Sequence, residues 1–213
     1  MNRYQWILST IAILAASSAT VSCSPGGVGD PCIPEDEYDA EFAGYGVEEV
    51  NVEAMSFQCA TRLCLVNHFQ GRVTCPYGQN EKDNGTLTDT NEGADKGGLR
   101  CKVPDGSKRL VSVEVAPQLV TRRANNSVYC SCRCAGPDKT ARYCPCPSGF
   151  SCTLLNEIPL GTGGQLLGSY CVRNGTAYDK ARDTTEQTCQ ASRKNCDYEG
   201  YPAGQNPFGT TKQ

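Results

Sequence analysis

The stretch YCSCRCAGPDKTARYCPCPSGFSC, residues 129–152, places six cysteines in 24 positions. No other feature constrains the chain so strongly. Cysteine at this density serves a metal cluster, a redox catalyst or a set of disulfide staples. Which of the three applies depends first on the compartment, because oxidising compartments favour disulfides and reducing ones favour thiolate chemistry.

The N-terminus supplies the compartment. Residues 1–22 have the three-part layout of a secretory signal: Arg3 and the α-amine, an apolar run from Trp6 to Ala16, then small residues. The run is too short to span a bilayer, which takes about 20 apolar residues. Val21, Ser22 and Cys23 resemble a bacterial lipobox, in which the cysteine becomes the acylated N-terminus. Thr20 departs from that pattern, where Leu is usual. The expectation is a lipoprotein signal peptide over 1–22 and lipidation at Cys23. Ser24 follows, and no Asp stands there to retain the chain in the inner membrane. By resemblance to Gram-negative lipoproteins, this implies the outer membrane; the alternative is a secreted extracellular protein.

Cysteine parity points the same way. The chain has 15 cysteines, an odd number that leaves one sulfur to explain. Setting Cys23 aside leaves Cys32, Cys59, Cys64 and Cys75 before the polar stretch 78–98, and Cys101, Cys130, Cys132, Cys134, Cys144, Cys146, Cys152, Cys171, Cys189 and Cys196 after it. Both sets are even, so each is expected to close its own disulfides.

Spacing narrows the chemistry further. SVYCSCRC alternates like a strand, with Val128, Cys130, Cys132 and Cys134 on one face and Tyr129, Ser131 and Arg133 on the other. Residues i and i+2 of a strand lie about 6.6 Å apart with parallel Cβ vectors, badly aimed for a mutual disulfide. Cysteines in Cys-x-Cys should therefore bond to other segments and stack cross-links along one face. Connectivity is not readable from spacing. Cys-x-Cys also resembles metallothionein spacing, so thiolate metal binding is carried as an alternative. A structural zinc site usually shows Cys-x₂₋₄-Cys pairs with histidine, whereas no cysteine here stands in Cys-x₂-Cys spacing and His68 is the only histidine. The same missing Cys-x-x-Cys argues against thioredoxin-like redox work. No metal and no cofactor is expected.

The fold class follows from scarcity of apolar residues. The hydrophobic fraction is 38%, against about 45–50% in globular domains. Small domains bury a smaller share of their surface and lean on cross-links. The expected fold is small, disulfide-rich, mainly β and irregular. Its expected segments are a membrane tether at 23–31, an acidic cysteine module at 32–77, a flexible linker at 78–100, a cysteine-rich module at 101–197 and a flexible tail at 198–213. RLCLV and GRVTC suggest a hairpin with Gly71 near the turn. LVSVEVAP reads as a half-buried strand with Val111, Val113 and Val115 on one face, ended by Pro117. QLVTRR reads as another strand, CPSGF as a turn with Gly149 at positive φ, TLLNEIPL as a helical turn and LLGSYCV as a strand. A weak helix is expected between Thr176 and Cys196.

Catalytic constellations are few. One histidine excludes H-E-x-x-H, and G-x-S-x-G is absent. His68 reads as a surface turn residue. GTGGQLLG lacks the spacing of a phosphate loop. DTNEGAD at 89–95 lacks the third ligand and turn glycine of a calcium loop. Glu35/Glu37 and Glu48/Glu49 could imitate a glycosidase pair, so an exported carboxylate-dependent hydrolase is carried as a second alternative. Charge is uneven: residues 23–100 hold 14 acids and 5 bases (net −9), residues 101–213 hold 14 bases and 9 acids (net +5). The bases are dispersed and no nucleic-acid motif is present, so nucleic acid is not an expected partner.

CPCPSGFSC is similar to the end of an EGF-like module, matching its Cys-x-Cys-x-x-Gly-aromatic part at Cys144, Cys146, Gly149, Phe150 and Cys152. Through VYCSCRC, CPSGFSC and GSYC the chain also resembles cysteine-rich lipoproteins of myxobacteria, a family without an assigned activity. That resemblance implies a cell-envelope location and no site residues. The expected function is therefore an exported, lipid-anchored, disulfide-stabilised envelope protein with a binding or structural role, not catalysis. Its expected partners are a membrane, through the N-terminal lipid, and a protein or other envelope component.

Overall fold

Val50 and Val52 alternate with half-buried Asn51 and Glu53, and this two-residue period builds the first strand, β1 (Val50–Glu53). The computed structural model describes residues 26–81, 87–89, 101–107, 109–155, 168–183, 187–190 and 196. β1 pairs antiparallel with β2 (Leu63–Asn67), and β2 pairs antiparallel with β5 (Val128–Ser131), so β2 is the central strand of a three-stranded sheet. β2 and β5 are apolar on both faces, as strands covered on both sides must be. Cys64, Val66, Val128 and Cys130 look into one core with Phe69 and Val73. Val50, Val52, Leu65 and Tyr129 look into the other.

That second core lies between two sheets. β6 (Arg133–Ala135), β7 (Phe150–Leu154) and β8 (Ser169–Arg173) form an antiparallel sheet in the order β6-β8-β7. Tyr170 and Val172 of β8 pack with Leu155 against Leu65 and Tyr129, and Phe150 meets Tyr129 edge-on at 5.6 Å. The expected cysteine strand is present but bends at Cys132. Before the bend it pairs with β2, and after it with β8, with Cys171 N–H donating to Cys132 O at 3.0 Å. One strand thus turns the corner between the sheets.

A third core gathers Cys75, Cys101, Val103, Val111 and Val115. Val111 and Val115 point inward and Leu110, Ser112 and Glu114 outward, as expected, although the segment makes isolated bridges to Lys102 and Gln79 instead of a full strand. β3 (Gln79–Glu81) and β4 (Leu87–Asp89) form a two-stranded ladder. Among the described residues, the helical elements are a 3₁₀ turn at Glu35–Tyr38 and two short helices, α1 (Ala124–Ser127) and α2 (Lys180–Asp183).

The small, disulfide-rich, mainly β class is what the chain adopts, with seven disulfides. Gly149 has φ +86 in its turn, and the strand expected in LLGSYCV is β8. Several local expectations are corrected. RLCLV forms β2, but its partners are β1 and β5, because Gly71 pairs with Tyr45 instead of turning a hairpin. QLVTRR is a turn in which Leu119 bridges Arg122. Thr153 and Leu154 extend β7 instead of starting a helical turn. The weak helix expected after Thr176 is the single turn α2.

The largest correction concerns the two even cysteine sets. Cys59 bonds to Cys130 and Cys75 to Cys101, both across the expected boundary. Parity permits closure within each set but does not require it, and the β2–β5 ladder brings Cys64 and Cys130 side by side. The start of the expected linker is also fixed: buried Gln79 donates to Val111 O at 3.1 Å and Val113 O at 2.6 Å. The expected tail, the calcium-like heptad beyond Asp89 and the GTGGQLLG loop before Gly168 lie outside the described residues.

Candidate functional site

Two sulfur clusters and the N-terminal edge beside them carry the chemistry singled out in the sequence. On the β2–β5 face, register partners Cys64 and Cys130 each bond outward, to Cys32 and Cys59 respectively. The row of cross-links expected along one face of Cys130, Cys132 and Cys134 is not formed, because Cys132 and Cys134 lie at and beyond the bend and bond in the second cluster, but no Cys-x-Cys neighbours bond to each other. Cys32, Cys59 and Cys130 bring their sulfurs within 4.8 Å of one another.

The second cluster joins β6, β7 and β8. Cys132 bonds to Cys144, Cys134 to Cys152, and Cys146 to Cys171. Cys152 and Cys171 face each other in the β7–β8 ladder yet bond to different partners. The Cys132 and Cys171 sulfurs are 3.5 Å apart, and those of Cys144 and Cys171 are 3.9 Å apart. Three disulfides therefore pack in contact where few aliphatic side chains are available. Cys189 bonds to Cys196. All fourteen of these cysteines are accounted for; Cys23 lies outside the described residues. A sulfur held in a disulfide is no thiolate, and the thiolate is the metal ligand and nucleophile.

Residues 26–31 of the expected membrane tether are docked on the fold. Gly26 N–H donates to Gln58 O at 2.8 Å, and Ala60 N–H donates back to Gly26 O at 2.8 Å. Gly29 N–H donates to Cys130 O at 2.8 Å and Cys130 N–H to Asp30 O at 2.7 Å, so the segment continues the sheet beyond β5. Gly29 has φ +98, and a Cβ there would lie 2.7 Å from the Phe150 ring. Arg173 closes this edge by donating to Gly29 O at 2.9 Å while its guanidinium covers the Tyr129 and Phe150 rings.

Of the four carboxylates singled out in the sequence, Glu37, Glu48 and Glu49 are held by other bonds. Glu37 is fully buried and accepts from the Val73 and Thr74 N–H groups and the Thr74 hydroxyl. Burial raises its pKa, against the opposing pull of the Thr74 bonds and the Arg72 charge. Glu35 is exposed, so the two do not share an environment. Glu48 pairs with Lys180, which lowers its pKa, and Glu49 accepts from the Gly46 N–H at 3.1 Å. His68 is corrected from surface to buried: its ring stacks on Tyr178 at 4.2 Å and its Nδ1 lies 3.1 Å from Val47 O.

Sequence reasoning missed the buried arginines. Arg72 donates to the carbonyls of Glu37, Asp39 and Phe42. Arg122 donates to those of Asn67, His68 and Thr176. Each gathers backbone acceptors from distant segments, a role that leaves no mark on local sequence. It also missed the exposed pair Met55 and Phe57, whose signal was two apolar residues in the acid-free stretch 54–62. No helix among the described residues is long and apolar enough to cross a membrane. No family model, curated protein or solved structure matches the chain.

Proposed function

We propose that this chain is an exported cell-envelope protein, anchored by acyl chains on Cys23 at the outer membrane, with a binding or structural role. The observation that carries the reading is the complete pairing of the fourteen described cysteines among themselves, which by count leaves Cys23 as the odd cysteine. Seven disulfides suit an oxidising compartment. An acylated cysteine has no thiol to mispair with the rest, which suits a chain this dense in sulfur. A binding or structural role is favoured over catalysis because Glu37, Glu48 and Glu49 are engaged in structural bonds and Glu35 does not share the buried environment of Glu37. The resemblances to an EGF-like stretch and to cysteine-rich myxobacterial lipoproteins agree with this reading.

Intact and peptide mass spectrometry of native protein tests it. The expected result is an N-terminal Cys23 peptide carrying acyl mass, with no cysteine alkylated before reduction. An unmodified Cys23, or several alkylatable thiols, would overturn it.

A second reading rests on the sulfur triads Cys32/Cys59/Cys130, Cys132/Cys144/Cys171 and Cys134/Cys146/Cys152, each within 4.8 Å. In a reduced chain those sulfurs would be soft ligands for Zn²⁺ or Cu(I). Metal analysis of the native protein separates the two: bound metal with reduced thiols favours the second, metal-free disulfides the first.

A further inference from the structure

The loop from 54 to 62, between β1 and β2, presents two strongly exposed large apolar side chains, Met55 at 73% and Phe57 at 81% exposure. They flank buried Ser56, whose N–H donates to Arg62 O at 3.1 Å, so the loop is closed across its base. The Arg62 guanidinium lies 4.5 Å from the centre of the Phe57 ring. Residues 54–62 contain no acid. An exposed apolar pair beside a cation, in a loop that itself carries no carboxylate and is bordered by Glu53, has the composition of a surface that meets a phospholipid interface.

Its place in the fold identifies the occupant. Gly26 is clasped on this loop through Gln58 and Ala60, as described above. A Cβ on Gly26 would lie 2.9 Å from Asp30 Cβ and 3.4 Å from the Cys130 sulfur, so the chain runs closely over the Cys59–Cys130 disulfide. Two residues, Ser24 and Pro25, separate Gly26 from Cys23, so three Cα-to-Cα steps span at most about 11 Å. Whatever bilayer holds acyl chains on Cys23 is thus within one short step of the loop.

We propose that residues 54–62 are a membrane-seating loop. Met55 and Phe57 enter the boundary between headgroups and acyl chains of the bilayer that holds Cys23, and Arg62 meets lipid phosphate. The proposal rests on the anchor reading for the choice of membrane. It adds a fixed orientation: the β1–β2 turn faces the lipid. An acyl anchor alone would leave the protein free to swivel, whereas a second apolar contact fixes one face downward.

The test uses a reporter that the sequence makes clean. Trp6 is the only tryptophan and lies in the expected signal segment, so Phe57→Trp gives a mature chain with one tryptophan. The chain, expressed with its leader in a Gram-negative host, is reconstituted in vesicles of phosphatidylethanolamine and phosphatidylglycerol containing chain-brominated phosphatidylcholine. Residue 57 is expected to lose about half its emission, because an interfacial side chain sits about 5–10 Å into the bilayer. Met55→Trp should behave alike, and adding Arg62→Glu should reduce quenching at residue 57. Resistance of the cysteines to alkylation certifies the fold of each variant, and Cys23 mass is read on the same samples. Acylated Cys23 with unquenched reporters overturns the loop and keeps the anchor. Quenched reporters without acyl mass keep the loop and overturn the anchor. Neither acyl mass nor quenching overturns both.

Discussion

The Arg72 guanidinium lies 3.9 Å from the Glu37 carboxylate, and both side chains have no solvent exposure. The pair ties the 3₁₀ turn at Glu35–Tyr38 to the loop after β2, because Arg72 serves three carbonyls and Glu37 serves three donors. Removing Arg72 leaves three buried carbonyls without a donor, at about 1–3 kcal/mol each and so about 3–5 kcal/mol or more together. Arg72→Leu should lose about that much in urea unfolding with disulfides intact. Arg72→Lys should recover only part of it, since one ammonium does not span three carbonyls. Equal stability of Arg72→Leu and wild type would show the pair to be dispensable.

Glu37 and Asp183 should give opposite pH responses. Burial raises the Glu37 pKa above its ordinary value of 4.5. The stability tied to its neutral form is therefore full below 4.5 and is lost as pH rises through the raised pKa. Burial also opposes ionisation of Asp183, but Arg182 and the Asp179 N–H outweigh it and hold the pKa at about 2. Its contribution is present above 3.8 and is lost as pH falls toward 2. Melting temperatures across pH should show Glu37→Gln flattening the decline on the upper side, and Asp183→Asn flattening the decline on the acid side. Unchanged slopes in both variants would refute the assignment.

Alternation was legible wherever a strand had one dominant neighbour on each face. It located β5 and β8 and the inward valines of 111–115. The bar on Cys-x-Cys self-pairing also held, since it follows from strand geometry alone. Partner choice was not legible. Cys64 meets Cys130 through a ladder joining residues far apart in sequence, and nothing near either cysteine encodes that register. His68 illustrates a second limit: a polar residue in a turn reads as exposed, yet Tyr178 covers it from a segment more than a hundred positions later. Tether-like composition misled for a similar reason. Gly26 and Gly29 permit close packing against Cys130 and Phe150 as readily as they permit freedom.

Gly71 and Gly106 separate backbone strain from steric contact. Both have positive φ, +82 and +75. A Cβ on Gly71 would stand 2.3 Å from the Ala116 carbonyl oxygen, while one on Gly106 meets nothing within 4 Å. Gly106→Ala should therefore cost only the left-handed penalty, about 1–2 kcal/mol. Gly71→Ala should cost that and more, since Ala116 belongs to the backbone and must itself move. Urea midpoints of the two variants check the order, and equal losses would contradict the close approach.

The Cys59–Cys130 bond makes the two sequence segments mechanically one. Its partners are 71 residues apart, against 7 for Cys189–Cys196. In the chain-entropy account the long closure stabilises by about 4 kcal/mol and the short one by about 2–3. Replacing both cysteines of the long pair by alanine should accordingly destabilise more than replacing both of the short pair. Cleavage after Lys96 provides a sharper test. Cys75–Cys101 and Cys59–Cys130 both cross that position, so the fragments should migrate together on a non-reducing gel and separate only with reductant. With both crossing pairs replaced, the same cut should release two fragments without reductant. Separation of the unaltered cleaved chain before reduction would mean that each segment closes its own bonds, and the shared β2–β5 sheet would lose its covalent support.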